Sequence, residues 1–213
     1  MQKYDTIIFD LDGTLLDTLA DLTDAVNYAM TQLCYPPRTI DEVHGFVGNG
    51  IRKLIERSVP SDATAAETEQ ALTLFRQYYA ENMSVMTKPY PGIIDLLRTL
   101  RNSGIKLGIA SNKADFAVQQ LNQIYFGGLD IAAVGERPDM PRKPDPAMVT
   151  QLCQRLHSDN VLYIGDSDTD VQTALNADVD QISVLWGYRT REQLAAAGAV
   201  RFVEKPSEIL LIV

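Results

Sequence analysis

Aspartates cluster near the start of the chain, in the stretch FDLDGTLLDT at residues 9–18. Three of these ten residues are acidic, namely Asp10, Asp12 and Asp17. They follow the run Thr6-Ile7-Ile8-Phe9, which is typical of a buried strand. Because like charges repel and a carboxylate beside a core strand must be solvated or paired, the pattern predicts a positive charge close by.

The first two aspartates have a spacing suited to catalysis. Asp10 and Asp12 could hold a hard cation through oxygen atoms and leave one oxygen free to attack an electrophile, while Gly13 permits a tight turn. An Asx turn that caps the following helix is the alternative. A calcium-binding EF-hand loop is excluded because its sixth position requires glycine and is occupied here by Leu15.

A second acidic cluster follows another apolar run, in the stretch YIGDSDTD at residues 163–170. If both runs are strands of one parallel sheet, Asp166 and Asp170 lie at the same edge as Asp10. Two such clusters require a cation between them. Ligands that are all oxygen favour Mg²⁺ over zinc, so the sequence predicts a magnesium site.

Two further segments offer groups that bind phosphate. Ser111 and Asn112 follow an apolar run and could hold phosphate oxygens, although each could equally cap an ordinary helix. Lys143 precedes a proline and could neutralise charge on a transferring phosphoryl group, unless it is a solvated loop residue. A metal, a lysine and polar donors together favour phosphoryl transfer.

A glycine-rich stretch, GFVGNG at residues 45–50, lies far from these segments in sequence. As a helix start, Gly48, Asn49 and Gly50 offer free N–H groups to an anion, with help from a following cation such as Arg57. The alternative is a flexible turn with solvated cations. A dinucleotide-binding loop is a poor fit because the order is G-x-x-G-x-G and no strand precedes it.

Short apolar runs alternate with helical segments along most of the chain, which predicts strands at 6–9, 105–110, 131–134, 161–164, 182–185 and 200–203. This alternation is typical of an α/β fold with a Rossmann-like parallel sheet, whose site lies beyond the carboxyl ends of the strands. The first two runs are too far apart for one crossover helix. Helical spacing between them predicts an inserted small helical cap domain at 16–84, with the catalytic core formed by 1–15 and 85–213.

Composition restricts the partners. The 213 residues carry a formal net charge of −9, which disfavours nucleic-acid binding. No apolar run approaches the ~18 residues that span a bilayer, and acidic residues interrupt the start that a signal peptide would need. Cys34 and Cys153 lie too far apart for a metal-binding spacing. We therefore expect a cytoplasmic protein, a monomer or homodimer, with a small-molecule phosphate ester as its partner and neither nucleic acid nor membrane.

The motifs resemble those of the haloacid dehalogenase superfamily over the whole chain. The matching residues are DLDGTL at 10–15, Ser111, Lys143, and the G-D-S-x-x-D pattern at 165–170. This resemblance implies a hydrolase in which Asp10 is the nucleophile and Asp12 is the general acid and then the base. The dehalogenases of the superfamily lack a carboxylate at the Asp12 position, so a phosphotransferase is favoured.

The resemblance also implies roles for the other residues. Ser111 and Asn112 would bind the phosphoryl group, and Lys143 would bridge it to Asp10. Mg²⁺ would be held by the Asp10 side chain, the Asp12 backbone carbonyl and Asp166, with Asp170 in or near its second coordination sphere. The helical insertion would close over the site, and residues of the cap would select the substrate.

Within the superfamily, VGNG at 47–50, Arg57 and WGYR at 186–189 resemble the phosphoglycolate phosphatases. The resemblance therefore predicts a Mg²⁺-dependent phosphatase for a small phosphorylated metabolite, with 2-phosphoglycolate as the first candidate. Alternatives are a phosphosugar mutase or a phosphatase for pyrophosphate, sugar phosphates or nucleotides. A non-catalytic phosphate sensor is disfavoured because simple binding does not require a nucleophile and a paired acid.

Overall fold

The computed structural model of the chain describes residues 3–213. These residues form two compact units, one of residues up to Leu16 together with Pro89–Val213 and the other of Asp17–Lys88. The sequence-based bounds of the insertion were 16 and 84. The larger unit contains a parallel sheet and the smaller one contains helices.

Six parallel strands form the sheet of the larger unit, in the order β5-β4-β1-β6-β7-β8. Their bounds are β1 (Thr6–Phe9), β4 (Lys106–Ala114), β5 (Ala132–Glu136), β6 (Val161–Gly165), β7 (Asp180–Val184) and β8 (Phe202–Val203). The first strand lies between β4 and β6 and is no more than 1% exposed at any residue. Its uninterrupted apolar character follows from this burial on both faces.

Helices flank the sheet: α5 (Ile93–Asn102), α6 (Asp115–Phe126), α7 (Ala147–Leu156), α8 (Asp168–Asn176), α9 (Arg191–Ala196) and α10 (Pro206–Ile209). The first of these, α5, shows why the sequence forms them. Gly92 precedes it at a φ of 87°, and Ile93, Leu96, Leu97 and Leu100 form one buried stripe at helical spacing. The predicted α/β fold is therefore confirmed.

The second unit contains α1 (Leu19–Gln32), α2 (Ile40–Phe46), α3 (Gly50–Ser58) and α4 (Ala65–Asn82). Helices α1 and α4 pack against each other, and their buried residues include Val26 and Ala29 of α1 and Leu72 and Phe75 of α4. The buried carboxylate of Asp21 accepts hydrogen bonds from the backbone N–H groups of Met86 and Thr87, near the end of this unit in sequence, at 2.9 Å each. No helix within residues 3–213 combines the length and apolarity needed to cross a membrane.

Strand bounds differ from the sequence-based ones at several places. The fourth strand begins at Lys106 and continues to Ala114, because its pairing with β5 resumes at Ala114 and Glu136 after a register shift. Ser111 and Asn112 therefore lie within β4, and the expectation that the strand ends at residue 110 was wrong. Two short strands, β2 (Leu16–Asp17) and β3 (Lys88–Pro89), pair with each other, and each is too short to produce an alternating pattern.

Candidate active site

Three carboxylates from two strand ends meet at one edge of the sheet. Asp10 follows β1, Asp166 follows β6, and Asp170 lies in the first turn of α8. One oxygen from each lies within 4.8 Å of the others, and all three residues are buried. The neighbouring positions of β1 and β6 produce this convergence, which the sequence predicted.

The buried ammonium of Lys143 lies between two of these carboxylates. Its Nζ is 2.9 Å from Oδ1 of Asp10 and 2.7 Å from Oδ1 of Asp170. It also donates to the Tyr163 hydroxyl at 3.1 Å, and that hydroxyl donates to Asp170 at 3.0 Å. Lys143 is thus a fixed cation of the site and not a solvated loop residue.

The amide side chain of Asn112 holds the backbone of Lys143. Oδ1 of Asn112 accepts from Lys143 N–H at 2.8 Å, and Nδ2 donates to the Lys143 carbonyl at 3.0 Å. Both polar ends of this side chain are therefore engaged with protein. The prediction that Asn112 binds phosphoryl oxygens stays a prediction, and the structure adds a role for it in placing Lys143.

Asp166 is fixed by donors from two loops. Oδ1 accepts from the Thr14 hydroxyl at 2.9 Å and Oδ2 accepts from Tyr188 N–H at 2.7 Å. The indole Nε1 of Trp186 donates to the Thr14 carbonyl at 3.0 Å, which ties the loop after β7 to the loop after β1. A Cβ at Gly187 would overlap Asp166, so only glycine fits against this carboxylate.

Asp170 combines two structural tasks. Its Oδ2 accepts from the backbone N–H of Ser167 at 3.0 Å and from the Ser167 hydroxyl at 2.6 Å, and that hydroxyl in turn accepts from Asp170 N–H. This reciprocal capping box fixes the start of α8. Since its Oδ1 accepts from Lys143 and Tyr163, both oxygens of Asp170 have protein donors.

Asp12 is paired with a different lysine. Nζ of Lys113 lies 2.8 Å from Oδ1 and 3.1 Å from Oδ2 of Asp12. The side chains of Lys113 and Asp12 are 3% and 16% exposed. The hydroxyl of Ser111, two residues before the lysine, accepts from the Lys113 N–H at 3.2 Å.

The predicted anion-binding residues Gly48, Asn49, Gly50 and Arg57 all lie in the helical unit. Gly48 and Gly50 have φ values of 117° and 82°, and Asn49 immediately precedes α3. Nη1 of Arg57 donates to the Phe46 carbonyl at 2.8 Å, which engages part of its guanidinium. A substrate-binding role for these four predicted residues stays a prediction.

Burial and mutual repulsion control the protonation of the cluster. Burial and then the charge of Asp170 raise the pKa of Asp166 to about 7 and raise the pKa of Asp10 well above its ordinary value. Burial opposes the charged form of Lys143, but the carboxylates of Asp10 and Asp170 outweigh it and raise the pKa of the ammonium. Full ionisation of all three carboxylates would therefore place more negative charge in the cluster than the single Lys143 ammonium balances.

This donor set fits a hard divalent cation. The oxygens are buried, close together and incompletely compensated, and none of the three residues offers sulfur or nitrogen. Asp10 and Asp166 could ligate such an ion directly. Asp170 has both oxygens engaged by protein donors, and through its contact with Lys143 it would support the site without ligating the ion directly.

Several residues of the site carried no separate prediction. Lys113 directly follows Ser111 and Asn112 at the edge of the sheet, so its position in the sequence could have indicated that it belongs to the site. Tyr163 lies within an apolar strand, and its hydroxyl gives no sign in sequence of reaching a lysine. Thr14 lies within the DLDGTL motif, and only the family resemblance of that motif indicated that Thr14 belongs to the site.

Comparisons with known proteins agree with this geometry. The family described as haloacid dehalogenase-like hydrolase matches residues 7–184. The phosphoglycolate phosphatase of Pseudomonas putida is 36% identical over 190 residues, which cover 85% of this chain and 70% of that protein. The phosphoglycolate phosphatase of Cereibacter sphaeroides is 35% identical over 188 residues, covering 86% of each chain.

A solved structure extends the likeness to the whole chain. It is that of a candidate phosphoglycolate phosphatase from Lactobacillus delbrueckii subsp. bulgaricus, with a TM-score of 0.91 and 36% sequence identity. The match covers 98% of this chain and 97% of that one.

A parallel sheet that collects carboxylates and a buried lysine beyond its strand ends defines an α/β enzyme of the phosphoryl-transfer type. The chain belongs to the haloacid dehalogenase-like hydrolase family, and within it to the phosphatases that resemble phosphoglycolate phosphatase. Its substrate is a small phosphate ester.

Proposed function

We propose that this phosphatase is Mg²⁺-dependent and hydrolyses 2-phosphoglycolate through an aspartyl-phosphate on Asp10. The observation that carries the proposal is the environment of the Asp10 carboxylate, which lies 2.9 Å from the Lys143 ammonium and within the cluster formed with Asp166. The names of the relatives at 35–36% identity support the substrate.

Asp10 and Asp12 divide the chemistry between them. An oxygen of Asp10 attacks phosphorus and the bond from phosphorus to the leaving oxygen breaks, while Asp12 donates a proton to that oxygen. Asp12 then takes a proton from water as the water oxygen attacks phosphorus. The bond from Asp10 to phosphorus breaks, which releases phosphate and restores both side chains.

The remaining residues compensate charge. Lys143, fixed by Asp170, Tyr163 and the amide of Asn112, stabilises the negative charge on the phosphoryl oxygens. We assign Ser111 and Asn112 to the binding of these oxygens, as the resemblance implies.

The carboxylates would hold the metal. Asp10, Asp166 and the backbone carbonyl of Asp12 would ligate Mg²⁺, with Asp170 in or near the second coordination sphere. When bound, the ion adds positive charge at the phosphoryl group and orients it for attack. The protein's own part is to keep these oxygens together in a buried site, against their mutual repulsion.

The test is phosphate release from 2-phosphoglycolate beside sugar phosphates, nucleotides and pyrophosphate, with Mg²⁺ and with a chelator. Asp10→Asn serves as the blank, and Asp159→Asn, an exposed aspartate outside the cluster, is the matched control. A preference for phosphoglycolate of about a hundredfold in kcat/KM, equivalent to about 2.7 kcal/mol, would support the substrate. Steady-state hydrolysis by Asp10→Asn would remove Asp10 from the nucleophile role.

The same assay separates the alternatives. Formation of an isomer in place of free phosphate would identify a mutase. Binding of phosphometabolites without turnover on any of them would favour the sensor. If Arg57 binds the substrate, Arg57→Met should raise KM more than it lowers kcat. The expected cytoplasmic location and monomeric or homodimeric state stay predictions, the second of which light scattering would decide.

A further inference from the structure

Each carboxylate of the Asp10–Asp12 pair has its own buried lysine. Lys143 pairs with Asp10, whereas Lys113 meets both oxygens of Asp12, at 2.8 and 3.1 Å. The side chain of Lys113 is only 3% exposed, so its ammonium is largely desolvated and requires a compensating charge. When ionised, Asp12 supplies that charge; when Asp12 carries the proton that it donates to the leaving oxygen, its other oxygen still accepts from the ammonium.

The two side chains approach from separate segments of the larger unit. Lys113 lies in β4, in the stretch between Ala110 and Ala114 where the pairing with β5 changes register. Asp12 lies just after β1, where it forms an isolated bridge with Leu16. The pairing of the neighbouring strands β1 and β4 therefore fixes the backbone positions from which both side chains extend.

A single ammonium that contacts both oxygens restricts the rotation of a carboxylate about its terminal bond. A free aspartate rotates broadly about this bond, and the side chain loses that freedom when it is held. A catalytic acid must present one oxygen to the leaving group at hydrogen-bonding distance. A contact that fixes the plane of the carboxylate in advance reduces the ordering required in the transition state.

We propose that Lys113 is a positioning residue that acts through Asp12, holding its carboxylate for proton transfer to and from the reacting oxygens. This inference rests on the proposed role of Asp12 in the phosphatase reaction. Lys113 contacts neither the leaving group nor the phosphoryl group in this scheme, and its effect on turnover requires Asp12.

The first experiment compares leaving groups in Lys113→Met. Protonation matters for an alkoxide such as that of 2-phosphoglycolate and matters little for p-nitrophenolate. We expect kcat to fall by roughly thirtyfold or more on 2-phosphoglycolate and by less than about fivefold on p-nitrophenyl phosphate, with KM nearly unchanged. Lys113→Arg should recover most of the loss, and Lys106→Met, in the same strand, should behave as the wild type.

The second experiment repeats Lys113→Met in an Asp12→Asn background. If the lysine acts through Asp12, its replacement there changes kcat by no more than about twofold. A loss of equal size on both substrates, or one that persists in the Asp12→Asn background, would overturn the inference. A rise in KM alone would also overturn it, because it would make Lys113 a substrate-binding residue.

Unfolding measurements keep the inference separate from the proposed function. The shifts in unfolding midpoint of Lys113→Met and Asp12→Asn should not add in the double variant, because the two share one contact. Additive shifts would reject the pairing whatever the activity. If the wild type hydrolyses no phosphate ester while the midpoints remain coupled, the proposed function fails, and the catalytic role of Lys113 fails with it, but the pairing stands.

Discussion

The ammonium of Lys143 lies 2.9 Å from an oxygen of Asp10, and the two side chains are only 2% and 11% exposed. Replacing one residue of such a pair strongly lowers the free energy of unfolding, because the other residue remains as a buried, uncompensated charge. Lys143 therefore contributes to the stability of the metal-free protein, in addition to the role proposed for it in the reaction.

Replacing Lys143 by Met should reduce kcat on any phosphate ester by about a hundredfold or more, since a fixed cation at the phosphoryl group is lost. The metal-free protein should lose about 3 kcal/mol in its free energy of unfolding, and Mg²⁺ should restore part of it. Urea unfolding with and without the ion measures this. Lys205→Met, an exposed lysine, is the control, and equal effects of the two replacements would contradict the assignment.

The replacement Tyr163→Phe tests the hydrogen bonds that the Tyr163 hydroxyl makes with Lys143 and Asp170. The hydroxyl donates to Asp170 and accepts from Lys143, and burial together with the charge of Asp170 raises its pKa well above the ordinary value, so it stays protonated. Its removal should cost about 1 kcal/mol of stability and lower kcat by roughly tenfold with little change in KM. Tyr28→Phe, at a partly exposed tyrosine, is the matched control for the steady-state kinetics.

The raised pKa of Asp166 predicts how the metal-free protein responds to pH. The folded protein holds this proton up to about pH 7, whereas the unfolded chain releases it near pH 4. The folded state thus binds more protons between these values, so its stability is fully present below about pH 4 and is lost as pH rises through 7. Stabilisation by Mg²⁺ should increase over the same range, because the ion competes with the proton.

Thermal unfolding from pH 5 to 8, with and without Mg²⁺, measures this dependence. Asp166→Asn removes one of the two carboxylates with a raised pKa, Asp10 being the other, and should make the profile of the metal-free protein less steep. A metal-free protein that gains stability from pH 5 to 7 would contradict the prediction.

Gly187→Ala should weaken the metal site without touching a ligand. The new Cβ would overlap Asp166 and the Gly13 carbonyl, so the loop after β7 must shift. We expect a loss of about 1–3 kcal/mol in stability and a lower affinity for Mg²⁺, measured by calorimetry. Gly128→Ala is the control because nothing lies within 4 Å of its new Cβ. Unchanged metal affinity in Gly187→Ala would show that the loop yields without moving Asp166.

The positions at the strand ends were accessible from sequence because parallel strands present their carboxyl ends at one edge. Once β1 and β6 were recognised as parallel strands, Asp10, Asp166 and Asp170 were expected at the same edge of the sheet, and the pairing of β1 with β6 brings them together. The prediction of a nearby positive charge is met by Lys143 at Asp10 and by Lys113 at Asp12.

The pairing of particular side chains was not accessible in this way. The contact of Lys113 with Asp12 depends on β4 continuing past a register shift to Ala114. The local pattern of apolar and polar residues does not predict such a shift. The Tyr163 hydroxyl reaches Lys143 from within an otherwise apolar strand, where tyrosine reads as a core residue. Tertiary packing decides both contacts.

The central place of β1 affects how the chain folds as it is synthesised. Its partners are residues 106–109 in β4 and 161–164 in β6, so the second partner is complete only 155 residues after Phe9. At about 5–20 residues per second, the ribosome needs roughly 8–30 s to produce that stretch. The apolar strand β1 is therefore synthesised well before its second neighbour, and binding by a chaperone or pairing with another nascent chain competes with folding during that interval.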